Sequence, residues 1–243
     1  MPDTILQRLY LLPLSLTTVQ VAPDRTLDMN CVAYLVTTND GKHIVIDTGM
    51  VPGAGTRMNL PKPQYEKDIV TSLAELGVRP DEVDMVICTH FDPDHAGAHD
   101  AFPQAEFVVQ RAHYEVARGG HERYALARPH WDYPALRYRL VEGDTEILPG
   151  LMLIETSGHA PGHQSVLVRL PQTGAVLLII DAVPLQSLFR PDRPATPNDD
   201  NEEQMRASTR KLIELAEREH ALTIFGHDAA QWKTLKRAPD YYD

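Results

Sequence analysis

At 243 residues, 43% of them hydrophobic, the chain can build one sizeable core, and no linker composition divides it, so a single domain over 1–243 is expected. A net charge of -11 excludes nucleic-acid binding through a basic face, and no apolar run is long enough to span a bilayer. Cys31 and Cys88 each lie inside an apolar run and read as free thiols of a reducing, cytoplasmic setting; the N-terminus has neither the basic start nor the small-residue cleavage site of a secretory leader.

Gln7–Leu16 reads as a first strand and Cys31–Thr38 (CVAYLVTT) as a second. Asn39-Asp40-Gly41 is a hairpin turn leading to a third strand, His43–Asp47. Asp47 stands at its tip before a glycine turn. It reads either as a turn aspartate bonding its own backbone or as an outer acid that orients a ligand loop. Met50–Pro63, with two glycines and three prolines, is a loop. Tyr65–Leu76 carries apolar residues at 69, 70, 73 and 76, a helical stripe that Gly77 ends. A strand over Val83–Cys88 follows.

That strand runs into Thr89–Gly97, THFDPDHAG, the densest chemistry in the chain. Pro93 rules out a regular helix through it. His90, Asp92, Asp94 and His95 must lie within a few ångströms of one another. Unpaired carboxylates so close repel, and a divalent cation removes that cost by taking imidazole nitrogen and carboxylate oxygen as ligands. The alternative is a solvated loop with capping aspartates.

Ala105–Gln110 is a strand and Arg111–Arg118 a helix. Gly119–Arg139 has no clean period and concentrates Tyr124, His130, Trp131, Tyr133 and Tyr138. It reads as a surface crossover with aromatic anchors or as a wall over a substrate. His113, His121 and His130 fit no ligand pattern. Leu151–Glu155 is a strand that runs into TSGHAPGH, residues 156–163. Gln164–Leu170 and Ala175–Ile180 are two more, the second ending in Asp181. A long helix over Asp199–Glu219 is expected, capped by Asn198 or Asp199. Leu222–Phe225 is a last strand, ending in Gly226-His227-Asp228.

One pattern repeats: an apolar strand, then a ligand-type residue at its end, at His90, His159, Asp181 and His227. Four such tips place ligands along one edge of a layered sheet structure. Hydrolysis is the chemistry best served, because two metals can acidify one water and polarise a carbonyl or phosphoryl group.

THFDPDHAG, SGHAPGHQS, LLIIDA and FGHD, in this order and spacing, resemble the metal-binding motifs of the metallo-β-lactamase superfamily. GHAPGHQS, IIDA and FGHD are most similar to its N-acyl-homoserine lactonases, the quorum-quenching branch. The resemblance implies an α/β fold, the αββα four-layer sandwich, and a dinuclear centre. Carried over by residue, it implies that His90, Asp92 and His159 hold the first metal and Asp94, His95 and His227 the second. Asp181, with a hydroxide, would bridge the two. It also implies a lactone or ester as the small-molecule substrate, with Asp94 assisting proton transfer; a homodimer is the candidate assembly.

Two positions depart from the family. Asp92 stands where the usual H-x-H-x-D-H loop has a second histidine, which hardens the first position and opens the centre to manganese, iron or cobalt beside zinc. Pro184 stands where the lactonases carry a tyrosine, so a phenol, if one is used, must come from Tyr133 or Tyr34. Phosphoester or thioester hydrolysis is the alternative within the fold. A diiron oxidoreductase would share the acidic ligand, but the chain has no room for a flavin domain. A non-catalytic module would need broken ligands, and all seven positions can bind metal.

Overall fold

The structure, a computed structural model, describes residues 5–243. Its first sheet is built on a long hairpin. Strands β1 (Leu6–Ala22) and β2 (Arg25–Thr38) pair antiparallel from Leu6↔Thr38 to Ala22↔Arg25. Both are longer than the sequence pattern indicates. The outer half, residues 17–29, is half-buried or exposed throughout, so backbone pairing more than burial holds it. Strand β3 (His43–Ile46) follows the expected turn.

Helix α1 (Ala54–Arg57) interrupts the loop after β3. Tyr65–Glu66 forms a short strand, β4, on Ser15 and Leu16, so the next helix starts later than its stripe suggests. That helix, α2 (Ile69–Ala74), is capped by Asp68, whose carboxylate accepts the Thr71 N–H at 2.8 Å. Then come β5 (Met85–Ile87), β6 (Glu106–Gln110), α3 (Arg111–Arg118), α4 (Arg128–Trp131) and β7 (Arg137–Val141). Strands β3, β5, β6 and β7 run parallel, and the sheet order is β4-β1-β2-β3-β5-β6-β7.

The second sheet comprises β8 (Thr145–Leu148), β9 (Leu151–Glu155), β10 (Gln164–Leu170), β11 (Gly174–Ile180) and β12 (Leu222–Phe225), ordered β12-β11-β10-β9-β8. Helix α5 (Glu202–Glu219) precedes β12, and α6 (Ala229–Trp232) follows it. The cap of α5 is Asn201, which accepts the Gln204 N–H at 3.0 Å, and neither Asn198 nor Asp199 fills that role.

Leu9, Leu11, Tyr34, Ile46 and Ile87 of the first sheet meet Leu153, Val166, Val168 and Leu178 of the second in a dry core. On the outer face of the first sheet, Ile69 and Leu73 of α2 cover Leu12, Leu35 and Val45. On that of the second, Leu212 and Leu215 of α5 cover Leu167, Leu177 and Ile179. The layers are therefore α, β, β, α, as the resemblance implies. Each of these side chains contributes about 1.5–3 kcal/mol by leaving water, which makes the sheets a stiff base for the loops at their edge. Cys31 and Cys88 are buried free thiols. Among the described residues no helix is long and apolar enough to cross a membrane.

Candidate metal centre

The tips of β3, β5, β9, β11 and β12 converge at one edge. Two residues there are held in the left-handed region, Asp47 at φ 58° and Ile180 at φ 55°. For a β-branched residue such as Ile180 this costs roughly 1–3 kcal/mol. The β11–β12 register shifts between Leu178 and Ile180, and this bulge re-aims the next side chain, Asp181, towards the cluster.

Six of the seven expected ligands fall into two groups. Ligand atoms of His90, His159 and Asp181 lie within 4.8 Å of one another, and so do those of Asp94, His95 and His227. Asp181 stands between them. One of its oxygens is 3.4 Å from His95 Nε2; the other is 3.1 Å from His227 Nε2 and 3.5 Å from His159 Nε2. Asp94 Oδ2 lies 3.6 Å from His95 Nε2 and 3.7 Å from His227 Nε2.

The far side of three of these imidazoles is fixed. Asp47 accepts the Thr89 N–H and O–H at 2.9 and 2.7 Å and meets His95 Nδ1 at 2.8 Å. Because the Thr89 hydroxyl donates to Asp47, its oxygen accepts from His90 Nδ1 at 3.0 Å. His227 Nδ1 donates to the Asn30 carbonyl at 2.6 Å. With each Nδ1 donating to a fixed acceptor, Nε2 is the nitrogen turned to the cluster, the orientation that metal ligation needs. Asp47 is thus the outer acid, the second of its two sequence readings.

The residues fit divalent ions. His90 Nε2, His95 Nε2 and Asp181 Oδ1 are buried without a well-formed hydrogen bond, and their charged neighbours stand only at ion-pair distance. Burial pushes the Asp181 carboxyl up, but His227 and His95 outweigh it and hold it well below the usual range. Burial lowers His227, yet the Asp181 carboxylate raises it to about 9. His90 is lowered to about 3, by burial first and by His95 second.

Asp92, the seventh expected ligand, sits 3.3 Å from both His90 Nε2 and His159 Nε2. Both its oxygens are also gripped by Arg123, at 2.6 Å from Nε and 2.6 Å from Nη2. No sequence pattern points to Arg123, because it stands in the aperiodic stretch after Gly119. In the same stretch Tyr124 and Trp131 are buried anchors, Trp131 stacking on Phe91 at 4.5 Å between ring centroids. His113 also gains a role that the sequence hides: its imidazole bonds Phe91 in one ligand loop and Pro161 in another. Behind His159 lies Asp199, 3.8 Å from Nδ1 and itself gripped by the fully buried Arg193.

Tyr34 is wholly buried in the core between the sheets, and Tyr133 is 45% exposed at the surface. A cavity of 490 Å³ is lined by Leu14, Cys31, Met50 and Ile69 beside the charged Glu66–Asp68, and by none of the seven expected ligands. Its link to the ligand loop is Cys31, whose thiol donates to the backbone carbonyl of Asp94 at 3.3 Å.

A family profile described as the metallo-beta-lactamase superfamily matches residues 27–227. An N-acyl homoserine lactonase of Bacillus cereus is 35% identical over 91% of this chain and 90% of its own length. The N-acyl homoserine lactonase AttM of Azorhizobium caulinodans is 33% identical, covering 87% of each chain. Among solved structures, an N-acyl homoserine lactone hydrolase with N-hexanoyl-L-homoserine bound at its catalytic metal centre superposes with a TM-score of 0.87. It is 32% identical, over 98% of this chain and all of that one.

Proposed function

The chain belongs to the metallo-beta-lactamase superfamily, where it groups with the N-acyl homoserine lactonases, and from that premise we propose that it hydrolyses the ring ester of N-acyl homoserine lactones at a dinuclear metal centre. The observation that carries the reading is the pair of adjoining ligand groups that meet at Asp181, with His90 Nε2 and His95 Nε2 buried and unpartnered. His90, Asp92 and His159 would hold one ion, Asp94, His95 and His227 the other, and Asp181 both. When bound, the ions polarise the ester carbonyl and acidify the attacking water. Imidazole nitrogen with carboxylate oxygen suits zinc as well as manganese, iron and cobalt.

The protein's own groups do the rest. Asp47, Thr89 and the Asn30 carbonyl hold the imidazoles in one tautomer, so their lone pairs need no reorganisation as charge develops. Asp94, with a quarter of its side chain exposed, is the most accessible carboxylate of the cluster. It can take the proton of the attacking water and return it to the departing alkoxide. Pro184 carries no phenol, so no hydroxyl is supplied to the leaving oxygen from that position. The apolar lining of the cavity, Leu14, Met50 and Ile69, suits an acyl chain. Buried free thiols at Cys31 and Cys88 support a cytoplasmic location.

The test is steady-state hydrolysis of acyl-homoserine lactones, simple γ- and δ-lactones, phosphodiesters and thioesters by protein of measured metal content. Lactones should be the best substrates. Turnover of a phosphodiester or thioester about a hundredfold above every lactone would overturn the proposal, since that gap exceeds what a pocket mismatch explains.

A further inference from the structure

Arg123 leaves the 3₁₀ turn Glu122–Tyr124 and ends against the first ligand group. Its guanidinium takes both oxygens of Asp92 in a fork, and Nη2 also lies 2.7 Å from His159 Nε2. Nη1 donates to the carbonyls of His159 and Asn198 at 2.7 and 3.0 Å, and meets Asp200 Oδ1 at 3.3 Å. Six contacts thus fix the position of a permanent positive charge, four-fifths buried, at the rim of the site.

This arrangement treats the two ligand groups unequally. Asp92 and Arg123 sum to zero charge, which is that of the neutral imidazole that Asp92 replaces. His159 Nε2 has one lone pair, which can accept from Arg123 or bind an ion but not both. An ion entering beside His159 therefore competes with a fixed cation for a donor. Behind the two imidazoles of the second group stand acceptors, the Asp47 carboxylate on His95 and the Asn30 carbonyl on His227.

We propose that Arg123 is a resident counter-cation of the first metal position, which makes that position the weaker and later-filled of the two. Asp92 then acts together with Arg123 as a neutral unit rather than as an added hard donor. The inference rests on the reading that both ligand groups bind divalent ions.

The test is calorimetric titration of Co²⁺ into chelator-treated protein, with the visible spectrum of the ion reporting its ligands. The natural sequence should bind two equivalents in two resolved steps, roughly tenfold or more apart. Arg123→Gln should tighten the weaker step roughly tenfold, with little change in the tighter one. Asp92→Asn, which removes the charged partner that Arg123 has among the expected ligands, should weaken the same step by a similar factor, and the double variant should return towards the natural value. The double variant and Asp92→Asn keep the question open to refutation where Arg123→Gln fails to fold. Loss of the weaker step in Arg123→Gln would show instead that Arg123 only positions Asp92, and so would overturn the inference. Two indistinguishable steps in the natural protein would overturn it too while leaving the lactonase proposal standing. No binding of Co²⁺ would sink both.

Discussion

His113 Nε2 accepts the backbone N–H of Phe91 at 2.8 Å, while its Nδ1 donates to the Pro161 carbonyl at 2.7 Å. One neutral imidazole thereby ties the loop that carries His90–His95 to the loop that carries His159. Protonation would turn the accepting nitrogen into a donor facing a donor. Burial lowers this group to about 4, against an ordinary histidine near 6.5. Between those values the unfolded chain binds a proton that the folded one refuses, so the contribution is complete above pH 6.5 and is lost as the pH falls towards 4. From pH 7.5 to 5 it amounts to about 2 kcal/mol. His113→Gln can keep one bond to each loop without titrating. Urea unfolding at both pH values should show a smaller acid destabilisation in the variant by about that amount, and equal losses in the two proteins would contradict the assignment.

Asp47→Asn tests the acid behind His95. An amide oxygen can still accept from Thr89 or from His95, but it no longer carries the charge that favours the Nδ1–H tautomer. Metal affinity should fall roughly 10- to 100-fold, read by competition with a chromophoric chelator. An unchanged affinity would mean that Asp47 serves only the turn at φ 58°.

The difference between what was legible in the sequence and what was not has a physical basis. His90, His159, Asp181 and His227 are legible because each follows a short, continuous apolar run, and such a run is visible in sequence. The four-layer order followed from the motifs and is present. Arg123 and His113 were not legible. Each acts on residues more than twenty positions away through contacts made by the tertiary fold, and such contacts leave no local period. The outer half of the β1–β2 hairpin was missed because it buries too little to alternate, and the start of α2 because Asp68 caps more strongly than the stripe extends. For α5 the stripe was right and the cap was not, since Asp199 is already bound to Arg193.

Gly158 makes a prediction about packing. It sits at φ 137°, and a Cβ there would lie 2.2 Å from the backbone nitrogen of Met205 in α5. Neither backbone can yield without moving His159 or the first turn of the helix. Gly158→Ala should destabilise the protein by about 2 kcal/mol or more and release metal from the first position at lower chelator concentration. Thermal unfolding followed beside elemental analysis checks both. A variant as stable and as metal-rich as the parent would show that α5 is free to shift.

The last prediction concerns the acyl chain. The cavity beside Cys31 is bounded by Met50, half-buried in the loop that follows Asp47 and packed on the loop of the second ligand group. If the chain of the substrate lies there, each methylene buried adds about 0.8 kcal/mol of binding, so long chains gain most from the space and lose most when it is filled. Met50→Trp fills it from one wall without touching any ligand. The ratio of kcat/KM for dodecanoyl- over butanoyl-homoserine lactone should fall roughly tenfold or more, the worth of about two methylenes. Saturation with the short substrate separates the two ways of being wrong. An equal loss for both chains would place Met50 at the ring rather than along the chain. An unchanged ratio with unchanged rates would mean that the acyl group leaves the metal centre by another face.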